Sequence, residues 1–263
     1  MFSTKEFYAK CEDWVEKYKD NKVMLPRNSH DESWSSLFNK LFADPRMIKL
    51  EEKLSSEMMM NAENLQMYPK PDYVFRCFLT TKFTDVKVVF LGQDPYFNSE
   101  ECNGNKVPQA CGLSFSVMEG FSVPSSLSNI YKNLVKYGHI EKEPVHGCLD
   151  FWAYQGCLML NTALTVLDGQ KKSHSSTWKW FTDEIIRYIS KTKEHVVFVL
   201  WGNDAYEKIG LIDQDKHDVV ISSHPSGLSA DKPMKDYPAF NKNDHFGKIN
   251  IFLKKHKQQT IFW

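Results

Sequence analysis

The stretch from Val86 to Phe97, VKVVFLGQDPYF, constrains the fold more than any other part of the chain. Val86, Val88, Val89, Phe90 and Leu91 make a short apolar run rich in β-branched residues. Such a run fits a strand buried on both faces of a parallel sheet. Gly92 breaks it, and Pro95 ends any ladder because it has no N–H to donate. A rigid strand therefore delivers Gln93, Asp94 and Tyr96 at its carboxyl end. In open α/β sheets, ligands bind in the crevice outside those ends. Taken alone, the stretch reads equally well as an ordinary strand-to-loop turn. Strands further along the chain that end in the same way favour the functional reading.

Cys157–Leu160 (CLML) is a second such run and ends in Asn161-Thr162. HVVFVLWG, from His195 to Gly202, is a third. Val219–Ser222 is a fourth, followed by Ser223-His224-Pro225-Ser226-Gly227-Leu228-Ser229. Trp178, Phe181, Ile185 and Ile189 recur at helical spacing and predict a crossover helix before the third strand. Asp204 reads as the cap of a short helix reaching Gly210, and residues 246–257 as a closing helix. Strands alternating with helices predict a three-layer α/β/α fold around a central, four-stranded, mainly parallel sheet.

Upstream, Trp34, Leu37, Phe38, Leu41 and Phe42 share one face of a helical pattern that begins at Ser33 and reaches Asn61. Asp44-Pro45 stops and restarts it, and the second helix carries Ile48, Leu50 and Leu54. Residues 74–83 are expected to be helical, and Gly112–Val117 alternates in strand fashion. Residues 98–109 read as a long polar loop, functional or mobile. The Ser122–Ser126 turn opens a helix carrying Leu127, Ile130, Tyr131 and Leu134. Such a turn serves as a plain cap or as a phosphate site. Phe7, Cys11, Trp14, Val15 and Tyr18 predict one short amphipathic helix. Residues 1–30 are thus an N-terminal arm, with packing preferred over partner binding, and residues 31–263 are one domain.

Lys plus Arg and Asp plus Glu balance at 33 each, so total charge does not announce a nucleic acid. A local basic face would have to do so. Seven Lys against two Asp between Lys232 and Lys257 supply a candidate. The six cysteines contain no CxxC pair, which weakens zinc and iron–sulfur readings. No apolar run approaches the ~20 residues of a membrane span, and no signal peptide is recognisable. The expectation is a soluble intracellular protein of nucleus or cytoplasm, with thiols reduced.

Gln93 and Asp94, Asn161 and His224 would share one rim of the sheet. A carboxylate, an amide and an imidazole there can bind a small polar ring and do acid–base or electrostatic work on it. No nucleophile elbow, GxGxxG or Walker loop is present. The residues by themselves lead to an α/β enzyme acting on a small planar polar group, with a nucleic-acid-linked group among the options.

The words GQDPY, GLSFSV, LMLNTALTV, VFVLWG and HPSGLS, in this order, resemble the family-1 uracil-DNA glycosylases over roughly residues 70–263. The resemblance implies hydrolysis of the N-glycosidic bond of flipped-out deoxyuridine, leaving an abasic site in single- or double-stranded DNA. It makes Asp94 the carboxylate beneath the sugar C1′ and His224 the hydrogen-bond donor to uracil O2. Gln93 would bind the base through its backbone, Asn161 would read the N3–H and O4 edge, and Phe115 would stack on the ring. Tyr96 would exclude thymine's methyl group. Leu228 would be the apolar wedge that fills the vacated stack, and Ser125, Ser126, Gly202, Asn203, Ser226 and Ser229 would grip phosphates. No cofactor and no metal are implied. The implied partner is uracil-containing DNA, met by a monomer, with DNA-mimic inhibitors and replication proteins as further candidates. A DNA-binding or replication-associated subunit on the same fold is the rival reading.

The chain departs from that family's pattern at several points. Phe97 stands where His is usual after GQDPY, Gly227 where a second proline is usual, and Asn203 where Ser is usual. The Ser122–Ser126 turn has fewer prolines, and extra residues fall near 98–109 and 231–243.

Overall fold

The computed structural model describes residues 4–60 and 66–263. Its strands are β1 (Met67–Tyr68), β2 (Val88–Gly92), β3 (Ser99–Cys102), β4 (Asn105–Pro108), β5 (Cys157–Asn161), β6 (Val166–Leu167), β7 (Val197–Trp201) and β8 (Asp218–Ser222). The central sheet has the order β5-β2-β7-β8, and every neighbouring pair is parallel. Gly92 stands opposite Asn161, and Trp201 opposite Ser222, so the four strands end at nearly one level. All residues of β2, β5 and β7 are buried, as their unbroken apolar runs require.

The main helices are α1 (Lys5–Ala9), α2 (Trp14–Lys17), α3 (Ser35–Ala43), α4 (Pro45–Met60), α5 (Arg76–Thr80), α6 (Ser125–Lys136), α7 (Asp150–Tyr154), α8 (Ser175–Thr192), α9 (Asn203–Tyr206) and α10 (His245–Lys255). Phe90 of β2 meets Trp152 and Trp201 at 5.9 and 5.4 Å, and Trp152 meets Phe246 of α10 at 5.8 Å. A second aromatic cluster joins Phe38 of α3, Phe75 and Phe181 of α8 at 5.6–5.9 Å. Edge-to-face contacts prevail in the second cluster, a geometry that suits the ring quadrupoles and adds to their burial.

The N-terminal residues pack on this body through Tyr8, Trp14, Tyr18, Val23 and Leu25, all buried. The Tyr8 hydroxyl donates to the Ala110 carbonyl at 2.7 Å and accepts from the Lys70 N–H at 3.0 Å. The single helix expected here is two. Asp13 and Glu16 form a reciprocal capping box that starts α2 afresh. The phase of the helical face changes there, so Phe7 and Val15 are exposed and Tyr8 is inside.

Other local expectations are also corrected. The 98–109 segment is the antiparallel hairpin β3–β4, closed by Asn103-Gly104 with φ of 52° and 78°. Two successive positive φ angles match a type I′ turn, whose favoured dipeptide is Asn-Gly. Residues 112–117 form no strand. Gly112 has φ +79°, and a Cβ there would lie 1.9 Å from the Tyr73 carbonyl oxygen. The Ser114 hydroxyl donates to the Phe90 carbonyl at 3.3 Å and its N–H to the Met159 carbonyl at 3.0 Å, so one residue ties the turn to both β2 and β5. Residues 74–83 hold only α5 and then a 3-10 turn at Phe83–Asp85. Gly202, not Asp204, caps α9, and α10 starts at His245 with Asp244 as its cap. Asp44 separates α3 from α4 as expected, while the expected end of that pattern at Asn61 lies outside the described residues.

A buried ion pair ties α5 to α7 and to the residue that precedes Gly112. Arg76 Nη2 donates to both Asp150 carboxylate oxygens at 2.6 and 2.7 Å, and Nη1 donates to the Cys111 carbonyl at 3.1 Å. Both side chains are almost wholly excluded from water. Removing one partner leaves the other as an uncompensated buried charge. Arg76→Ala is therefore expected to lower unfolding free energy by about 3–5 kcal/mol in urea titration. An R76M/D150L double variant should recover most of that loss; equal instability of single and double variants would contradict this account.

Candidate active site

Outside the carboxyl ends of the four central strands lies a cleft of about 830 Å³. Gly92 enters it at the end of β2 with Gln93, Asp94 and Tyr96 just after, Asn161 from the end of β5, Gly202 and Asn203 after β7, and His224 after β8. Phe115 comes from the turn after Gly112, and Ser125 and Ser126 from the first turn of α6. Ser226 and Ser229 complete the wall. Leu228 lies outside the lining, 85% exposed on the loop between Ser226 and Ser229.

Small residues make room for large ones. A Cβ on Gly92 would stand 2.2 Å from Asn161 Oδ1, so only glycine lets that amide lie across the end of β2. Gly202 has φ +90°, and a Cβ there would stand 2.9 Å from His224 Cβ. The Gln93 carbonyl accepts from the Ala163 N–H at 3.1 Å and from the Thr162 hydroxyl at 2.9 Å, which ties the β2 and β5 loops together. Its Nε2 is buried without a partner.

Phe115 holds a left-handed φ of 62°. Its ring meets Trp201 at 5.4 Å and His224 at 6.1 Å. The Tyr96 hydroxyl donates to the Phe115 carbonyl at 3.1 Å, so one contact fixes both ring-bearing segments. Burial pushes the Tyr96 phenol well up and keeps it neutral. Phe97 lines the same cleft and packs against the small cluster of Tyr68, Ala110 and Val166.

Asp94 Oδ2 accepts from the Lys172 N–H at 2.9 Å, and Oδ1 from the Ser175 hydroxyl at 3.1 Å. Burial raises its pKa above the ordinary value; those two donors and the Lys171 ammonium oppose the rise, and Asp204 adds to it. His224 Nδ1 accepts the Ser226 N–H at 3.0 Å. An acceptor nitrogen carries no proton, so Nε2 is the N–H of the neutral ring. Burial and then the Lys171 charge lower the His224 pKa to about 4, against a smaller opposing effect of Asp204. At neutral pH the cleft thus holds a neutral imidazole with Nε2–H to donate, beside a carboxyl group whose charged form two hydrogen bonds and Lys171 favour.

Lys171, Lys172 and Ser175 escaped the sequence reading. They act on Asp94 from about eighty residues away, and only the serine at the start of α8 gave a local hint. The basic run is corrected. Lys232 lines the cleft, but Lys248 and Lys255 line a groove with His195 and Asp218, near the opposite end of β7 and β8. Helix α10 runs the length of the sheet, so charges contiguous in sequence do not form one face. Among the described residues, no group of three or more His, Cys, Asp or Glu is disposed to hold a metal. None of their helices is long and apolar enough to cross a membrane.

The family model described as the uracil DNA glycosylase superfamily matches residues 80–254. A uracil-DNA glycosylase of Pseudomonas syringae pv. tomato is 42% identical over 232 residues, covering 88% of this chain and 93% of that one. One from Helicobacter hepaticus is 39% identical, covering 92% and 97%. The crystal structure of mimivirus uracil-DNA glycosylase has 37% identity and a TM-score of 0.89, covering 96% of this chain and 93% of the other. Its Y322F variant in complex with UGI gives a TM-score of 0.92. With its fold, its cleft and its relatives in agreement, this chain belongs to the uracil-DNA glycosylase superfamily.

Proposed function

We propose that this chain releases uracil from DNA with Asp94 and His224 as its two catalytic groups. Breaking an N-glycosidic bond builds positive charge on the sugar and negative charge on the leaving base. Asp94 supplies a fixed negative charge for the sugar and orients the attacking water. His224 Nε2–H stabilises the uracil anion without giving up its proton. The observation that carries this reading is the Ser226 N–H bond to Nδ1, which leaves Nε2 as the donor. Asn161 reads the N3–H and O4 edge, Phe115 stacks on the ring, Tyr96 blocks C5, and Gln93 completes the base pocket.

The base must leave the stack before this cleft can read it, at a cost of a few kcal/mol. Leu228 is the wedge, and Ser125, Ser126, Gly202, Asn203, Ser226 and Ser229 meet phosphates around it. Asn129 Nδ2 donates to the Pro225 carbonyl at 2.7 Å and clasps α6 to the wedge loop, which supports a joint grip. Single- and double-stranded uracil-containing DNA are the assigned partners, and a DNA-mimicking inhibitor would meet the same rim. A non-catalytic DNA-binding role is the weaker reading, because carboxylate, amide and imidazole all stand in one cleft.

The pH dependence follows with a definite sign. His224 is a neutral donor above about pH 4, and Asp94 is ionised above its raised pKa. Excision should fall only on the acid side, as Asp94 gains its proton and, near pH 4, His224 gains one. A fall in activity as pH rises through the ordinary histidine range near 6.5 would mean that protonated His224 is required, and would contradict the assignment.

Specificity is tested by base release. Tyr96→Ala should admit thymine and Asn161→Asp should admit cytosine, each read by chromatography of the freed base. Variants that release only uracil would overturn the pocket roles.

The wedge loop gives a third test. No heavy atom lies within 4 Å of a Cβ built on Gly227, and its φ is not left-handed. Gly227→Pro should remove about 0.4–1 kcal/mol of loop-ordering cost and raise kcat/KM on duplex DNA about two- to fivefold. Leu228→Ala should lower duplex activity more than single-strand activity. Equal losses on both substrates would leave Leu228 without a wedge role.

A further inference from the structure

The loop that grips Asp94 is held in an unfavourable shape. Lys172 has φ 65°, a left-handed conformation that residues with a side chain rarely adopt. In that shape its N–H reaches Asp94 Oδ2. Something must over-determine the segment, and His174 is placed to do so.

His174 is 0% exposed and immediately precedes Ser175, the second donor to Asp94. Its Nδ1 lies 2.7 Å from Thr165 Oγ1, which accepts from the Trp178 indole N–H at 2.6 Å. The threonine hydroxyl is free to donate its own proton to Nδ1. Nε2 then carries the ring proton and stands 2.6 Å from Glu57 Oε2 on α4. Glu57 is buried and also paired with Lys53 at 2.8 Å. A chain of polar groups thus runs from α4 and α8 to His174, one of the two residues between the donors on Asp94.

We propose that Glu57, His174 and Thr165 are positioning residues for Asp94, pinning segment 172–175 so that the Lys172 N–H and the Ser175 hydroxyl stay on its carboxylate. The inference rests on the role given to Asp94 above. Ser173 Oγ, accepting from the Leu167 N–H at 2.8 Å, holds the same segment from its other side. Hydrogen bonds to the charged form of a carboxylate favour that form. A slack segment therefore weakens the orientation of Asp94 and moves its titration upward. The other charges facing Asp94, Lys171 and Asp204, are left in place, as is Lys53 beside Glu57.

The test compares His174→Ala, Glu57→Ala and Glu57→Gln under saturating uracil-DNA, after thermal melts establish that each is folded. Both alanine variants should lose kcat by about 10–100-fold with KM within about twofold. Their acid limbs should shift to higher pH. Glu57→Gln keeps an oxygen to accept from Nε2–H and should recover most of the rate. Should His174→Ala fail to fold, the Ala and Gln pair at Glu57 decides the matter. Lowered melting temperature with wild-type kcat and acid limb would reduce the network to a packing feature and overturn the proposal. So would equal rate losses in Glu57→Ala and Glu57→Gln. Asp94→Asn, measured alongside, separates the two levels. Full activity there overturns the role of Asp94 and this proposal with it, whereas loss there with wild-type Glu57→Ala overturns the positioning role alone.

Discussion

Gly92 lies opposite Asn161 across the β2–β5 ladder, and a Cβ on it would overlap the Asn161 amide oxygen. That missing atom lets an amide lie across the end of the neighbouring strand, beside the loop that carries Gln93 and Asp94. The parallel register then does the rest. Because β2, β5, β7 and β8 end at nearly one level, groups separated by 130 positions in sequence (94 and 224) reach one cleft. A register slip of one residue would turn every side chain of a strand to the opposite face. The buried apolar runs make such a slip expensive.

The same burial that stabilises the sheet sets the electrostatics of the cleft. Desolvation disfavours charge on both groups, raising Asp94 and lowering His224. The two shifts have different chemical consequences. At Asp94 two hydrogen bonds and Lys171 favour the charged form and oppose the rise. His224 loses any charge and keeps a directed N–H, since the Ser226 N–H occupies its other nitrogen. One polarity of environment therefore holds a carboxyl group supported in its charged form on one side and a neutral donor on the other.

The core of this arrangement was legible in the sequence. The strand runs, their polar ends, and Asp94, Asn161 and His224 are local words that β-propensity and turn chemistry fix directly. What escaped was non-local or depended on single dihedrals. Ser114 and the left-handed Gly112 and Phe115 made a turn out of an alternating pattern that looks like a strand. Asn103-Gly104 did announce the β3–β4 hairpin, but flanking Glu and Lys residues hid the strands. Lys171, Lys172 and Ser175 could not be assigned to Asp94 because the contact arises only when α8 packs beneath the sheet. The basic run between Lys232 and Lys257 misled for the opposite reason: contiguity in sequence is not contiguity on a surface when a helix carries it away.

The measurement that tests the central claim most directly is single-turnover uracil release by His224→Ala. Losing one preorganised donor to the leaving base should slow the chemical step by about 10²-fold or more, with affinity for uracil-DNA nearly unchanged. A loss confined to binding, with the chemical step at wild-type rate, would contradict the neutral-donor account.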